Sequence, residues 1–240
     1  MPIGLNETYY PRIVNFWPHG ASLTVSYAPG RLDLTIQLPM AFVIGSNQNN
    51  LAFVQYIAQI LVNEPGSLRK AGALNVELDM DEAPVAGEYV FVPENPETTF
   101  TESRGPESKR SGRLAAPATP TPPGMSEESN HSSWTTSQRA FAKITGHEYQ
   151  YLPSAGILLD LTLDGFYKAY KWSLYYKDDT YYMIALSAEP GLDKHHGKSF
   201  TEATMRGGNP PDPKLCAWHF RQCVQMFVRG YSVQMALNAL

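Results

Sequence analysis

Between residues 101 and 133 the chain carries five prolines and ten serines or threonines but no aromatic residue. No other feature constrains the fold as much, because so few large apolar side chains cannot offset the entropy of ordering the segment. The sequence therefore predicts a flexible linker at 101–133, between an N-terminal unit at 1–100 and a C-terminal unit at 134–240. Four basic residues in the linker (Arg104, Lys109, Arg110 and Arg113) read first as a solvated face, and only second as phosphate contacts.

The flanks are ordinary globular sequence. Over the whole chain 43% of residues are apolar and 18% charged, and 240 residues suffice for one good core or two small ones. A formal net charge of -4 supplies no global field toward a phosphate backbone, so nucleic acid is not an expected partner. Cys216 and Cys223 are seven positions apart, a helical spacing and not a disulfide framework. The N-terminus lacks a basic region followed by an apolar core, and no run approaches the roughly 20 apolar residues of a membrane span. The expected location is therefore cytoplasmic.

Periodicity gives a coarse α+β reading. Residues 22–27 and 32–38 alternate around Pro29-Gly30, as a β-hairpin does. Residues 50–62 place Val54, Ile57, Ala58 and Leu61 on one helical face, and Pro65-Gly66 ends the run. Two strands, Leu74 to Met80 and Glu88 to Pro93, are expected next. After the linker, a short helix is expected at 135–145 and a buried strand or helix start at 156–163. Residues 172–176 and 180–186 flank Lys177-Asp178-Asp179, a strong hairpin signal. Residues 214–229 read as a helix with Asp212 as N-cap, Pro213 in its first turn and Gly230 beyond its end.

Three runs, taken in order, carry a resemblance. They are Ala155-Gly156-Ile157-Leu158-Leu159 with Leu163-Asp164-Gly165-Phe166, then Leu192-Asp193-Lys194-His195-His196-Gly197-Lys198, then Pro211-Asp212-Pro213-Lys214-Leu215 leading into Trp218 to Val224. Together with the N-terminal hairpin, its helix and Gly87 to Val92, they resemble the fungal HNH-nuclease-like family. The resemblance implies a C-terminal hairpin-and-helix unit.

It also implies a lost nuclease. Such a site needs a His as general base, an Asn to orient it and further ligands for a divalent metal. Where the family has that Asn this chain has Ala155, and the family's helical His falls on Asp164 or Leu163. His131 lacks the apolar flank and the spacing of the missing first His. Asp164 alone is a poor metal site. No metal and no cofactor is expected.

Two further constellations have competing readings. Cys216, His219 and Cys223 share one helical face and could begin a zinc site, but a fourth ligand is missing and core packing is favoured. His195-His196-Gly197-Lys198 could be an acid/base pair or anion cradle, against a frame loop in which one His bonds to backbone.

The densest signal is eight aromatics in residues 166–182: Phe166, Tyr167, Tyr170, Trp172, Tyr175, Tyr176, Tyr181 and Tyr182. Trp172 and Tyr176 share one face of the expected hairpin and Tyr175 takes the other. One set can build core while the other lines a wall for something flat or apolar. The candidate donors for catalysis are Tyr175, Tyr182 and His195, with Trp172 as a weaker one. The candidate substrate-binding residues are Trp172, Tyr176 and Tyr170.

The favoured function is a cofactor-free enzyme binding an apolar small molecule. The resemblance implies a degenerate family member recruited to fungal secondary metabolism, a cyclase or pericyclase of the Diels-Alderase type. Such a protein would fold its substrate into a near-attack conformer and polarise a carbonyl with one or two donors. The alternatives are a dead nuclease whose aromatics stack on bases, and a partner module contacting through its linker.

Overall fold

The computed structural model describes residues 12–17, 20–27, 35–62, 64–95, 159, 161–201 and 210–228. The expected linker at 101–133, the helix at 135–145 and most of the 156–163 run lie outside the described residues. So do Ala155, His131 and Gly230.

The described residues form an α+β architecture with a mixed four-stranded sheet in the N-terminal part and a three-stranded antiparallel sheet in the C-terminal part. A short helix α1 (Arg12–Phe16) precedes strand β1 (Ser22–Tyr27), which pairs antiparallel with β2 (Thr35–Pro39) as the alternation predicts. Leu23, Val25 and Tyr27 of β1 and Ile36 and Leu38 of β2 are buried, while Thr35 and Gln37 face outward. Helix α2 (Met40–Gly45) follows at once, and then α3 (Leu51–Val62). The Asn50 carboxamide caps α3 by accepting the Phe53 N–H at 3.1 Å.

The chain then departs from the expected order. It returns from α3 as strand β3 (Gly66–Lys70), antiparallel to β4 (Gly87–Pro93), which itself runs parallel to β1. The sheet order is β2-β1-β4-β3. The strand expected at Leu74 to Met80 does not form, because β3 already holds the open edge of β4. Leu74 and Val76 are instead exposed, at 49% and 57%. The segment crosses the start of α3, where the carbonyls of Met80 and Glu82 accept the N–H groups of Ala52 and Leu51. Those donors would otherwise lack partners at a helix N-terminus.

In the C-terminal part, α4 (Leu161–Lys168) opens on Leu161, which is 89% exposed although its run reads as buried. The inward side of α4 comes later, from Tyr167 with Leu163 and Phe166. Strands β5 (Trp172–Lys177) and β6 (Thr180–Ala185) pair as the hairpin signal predicts, and a short β7 (Ser199–Thr201) adds the order β5-β6-β7. Asp178 and Asp179 both have positive φ (50° and 55°), the signature of a type I′ turn that matches strand twist. Helix α5 (Pro213–Phe227) starts at Asp212, whose carboxylate accepts the Lys214 N–H at 2.7 Å. Cys216, His219, Phe220, Cys223, Val224 and Phe227 form its buried stripe, the i, i+3, i+4, i+7 pattern of an amphipathic helix.

Described residues before and after 101–133 share one hydrophobic core. Phe53 of α3 lies 6.3 Å from Phe220 of α5, and Phe16 of α1 lies 6.0 Å from Phe227. No helix of the described residues is long and apolar enough to cross a membrane.

Candidate functional site

Two of the candidate donors are neighbours across the hairpin. Tyr175 on β5 and Tyr182 on β6 are register partners, so their side chains leave the sheet on the same face, with ring centroids 6.5 Å apart. Helix α3 crosses this face and adds Tyr56, 5.6 Å from Tyr175. Two phenylalanines close the group from below. Phe53 meets the Tyr175 ring edge-on at 5.3 Å, and Phe220 of α5 stacks parallel to Tyr56 at 6.0 Å. Phe53 and Phe220 are fully buried, whereas Tyr56, Tyr175 and Tyr182 are only half-buried.

The three phenol hydroxyls make no hydrogen bond among the described residues. Burial pushes the Tyr175 hydroxyl up to about 12, helped by Tyr56, Asp178 and Tyr182. Burial also raises Tyr56, against the pull of the nearby Arg221 guanidinium. Both phenols are therefore protonated at neutral pH and serve as donors, not as bases. The group combines apolar ring area with O–H groups that have no acceptor among the described residues.

The remaining candidates go elsewhere. Trp172 is 2% exposed in the core, its ring edge-on to Tyr167 and its indole N–H donating to the Leu163 carbonyl at 3.0 Å. Tyr170 is buried too, held at φ 61° after α4 and stacked over His219. Neither presents a face to a ligand in this conformation. Tyr176 lies on the opposite face of the hairpin from Tyr175, donating its hydroxyl to the Asp179 carboxylate at 2.8 Å. Tyr181, beside it, is fully buried and donates to the Pro211 carbonyl. His195 is half-buried in a 3-10 turn (Asp193–His195), with its Nδ1 3.4 Å from the Lys198 ammonium. The structure thus brings Tyr175 and Tyr182 together and places Trp172, Tyr170 and Tyr176 apart from them.

The two histidine motifs are built into the frame. His196 accepts the Ala185 N–H on Nδ1 at 3.0 Å, so its proton sits on Nε2 and is donated to the Phe42 carbonyl at 2.8 Å. Its ring packs between Trp17 and Phe42, and this burial lowers it to about 4. The backbone approaches closely here. A Cβ at Gly197 (φ +75°) would run into the Gly45 carbonyl oxygen, and one at Gly45 would meet the His196 ring.

On α5, His219 places Nε2 3.1 Å from the Tyr167 carbonyl and Nδ1 2.8 Å from the Ser173 hydroxyl. Ser173 is fully buried, so this pair cannot reach a substrate. Cys223 donates to the Trp172 carbonyl, and burial drives the Cys216 thiol up to about 12. Both thiols pack in the core, and no group of three His, Cys, Asp or Glu among the described residues could hold a metal ion. Asp164 is ion-paired with Lys168 one turn along α4.

No family model, curated protein or solved structure matches this chain.

Sequence reasoning did not single out Tyr56 or Arg221. Tyr56 flanks the apolar stripe Val54, Ile57, Ala58 and Leu61, and α3 carries no charged residue at all. A polar-tipped ring at the margin of the apolar stripe of an uncharged helix was the available signal.

Proposed function

We propose that Tyr56, Tyr175 and Tyr182 form the binding site for an apolar small molecule with an acceptor oxygen. The observation that carries this reading is the set of three half-buried phenols, drawn from three elements and without acceptors among the described residues. Protonated phenols beside phenylalanine rings suit a ligand that is flat or folded, largely apolar, and tipped with a carbonyl.

The chemistry such a site favours is cyclisation without a cofactor. The walls hold the substrate in a reactive conformer, and a phenol polarises the carbonyl as charge develops on its oxygen. Tyr175 and Tyr182 take the donor role, and Tyr56 joins them. The reading extends to a degenerate HNH-like protein recruited to fungal secondary metabolism, as the sequence resemblance implies.

A flat probe such as 2-naphthylmethanol should raise the melting temperature of the full chain with concentration, because it binds only the folded state. Tyr182→Phe should weaken that shift at unchanged intrinsic stability. A probe that gives no saturable shift argues against the site. Magnesium- or manganese-dependent cleavage of DNA, abolished in Asp164→Ala, would overturn the lost-nuclease reading.

A further inference from the structure

The strip from Asp193 to Thr201 has little apolar anchorage. It runs through the 3-10 turn and Gly197 into β7, an edge strand of its sheet. Asp193, Lys194, Lys198, Ser199 and Thr201 are exposed, and Phe200, stacked on Tyr181 at 6.1 Å, is the strip's one large apolar side chain. Backbone bonds tie it to β6 at Met183, through the Gly197 N–H and the Lys198 carbonyl. Its hold beyond the sheet is His196, whose ring bonds the Ala185 N–H on one side and the Phe42 carbonyl of α2 on the other. The seat is tight, since a side chain at Gly197 would strike the Gly45 carbonyl oxygen.

That seat accepts only a neutral ring. Nδ1 is an acceptor here, so a proton on it sets two donors face to face at 3.0 Å. Helix α2 and residues 46–50 carry no charged side chain, and β6 offers only Tyr181 and Tyr182. The one charged residue of α1, Arg12, is at the opposite end of that helix from Trp17. On the strip itself Asp193, Lys194 and Lys198 are exposed, and His195 lies against Lys198. No carboxylate among these stabilises a charged ring, and burial keeps His196 neutral down to about 4.

We infer that His196 is an acid-released latch, whose protonation frees residues 193–201 from α2 and β6 while the rest of the fold stays in place. A histidine in water titrates near 6.5, so the released strip takes up a proton that the seated one refuses. Release is therefore favoured as pH falls below 6.5. From those two values, opening becomes about 50-fold more frequent between pH 7 and pH 4.5. Release also takes from Tyr182 its register partner on β7, Ser199, so the latch controls the outer border of the tyrosine cluster.

Hydrogen exchange of the full chain, read by mass spectrometry at pH 7 and 4.5 and corrected for intrinsic rates, tests the latch. Peptides covering 193–201 should open about 50-fold more often at the lower pH, and low urea should not accelerate them. Peptides from β1 should stay protected longer and exchange only through an opening that urea promotes. His196→Gln keeps one acceptor and one donor but takes up no proton, and it should abolish the pH response. An equal response in that variant overturns the latch. So does a strip that opens no more often at pH 4.5 than at pH 7, or that opens only together with β1, results the unaltered protein gives whether or not the variant folds.

Discussion

His196 is largely buried with both ring nitrogens engaged by backbone, and it is the burial that makes stability respond to pH. The folded chain holds this imidazole neutral down to about 4, while an unfolded histidine titrates near 6.5. Between those values the unfolded state binds more protons, so stability rises with pH. The contribution is complete above pH 6.5 and is lost as pH falls toward 4, by about 3 kcal/mol in all. Urea unfolding at pH 7, 5.5 and 4.5 should show this loss, and His196→Gln should flatten it from a lower starting stability. The His195-His196 pair was visible in the sequence, and so was the option that one His bonds to backbone. Which one could not be read, because Trp17 and Phe42, the rings that bury His196, lie more than 150 positions away. Tyr175, Tyr182, Trp172 and Tyr170 all stood out by aromatic density, and the structure half-buries the first two while burying the other two. Aromatic density marks a packed region, and only the third dimension separates its wall from its core.

At the level of elements, local rules succeeded where the signal is local. The β5–β6 hairpin follows from two aspartates that tolerate positive φ, and α5 follows from its cap and stripe. Asp212→Ala should cost about 1 kcal/mol by removing the carboxylate that satisfies the Lys214 N–H, read as a lower unfolding midpoint at constant slope. The failures share one cause. Leu74 to Met80 alternates as well as a strand should, whereas Gly66 to Lys70 has a single buried side chain, Leu68. Pairing went to the weaker pattern because it leaves α3 next to the open edge of β4, and Gln55 of α3 accepts the Leu68 N–H. Edge competition of this kind leaves no trace in periodicity.

Across the whole molecule, the composition break at 101–133 divides the sequence but not the core. Phe53, Phe220 and Tyr175 meet across it, and His196 binds the backbone of α2. Heat or denaturant should therefore unfold the chain in one transition, with calorimetric and van't Hoff enthalpies in agreement. Two resolved transitions would mean the shared contacts are too weak to couple the halves. The tyrosine cluster sits on this shared seam, which is why neither half of the sequence alone pointed to Tyr56. Its role is tested most directly by Tyr175→Phe, which keeps the ring and removes only the hydroxyl. If the phenol serves a ligand, the melting temperature should stay within about a degree while 2-naphthylmethanol binds about fivefold more weakly, the worth of one neutral hydrogen bond. Binding as tight as in the unaltered protein would contradict the account and return Tyr175 to ordinary packing.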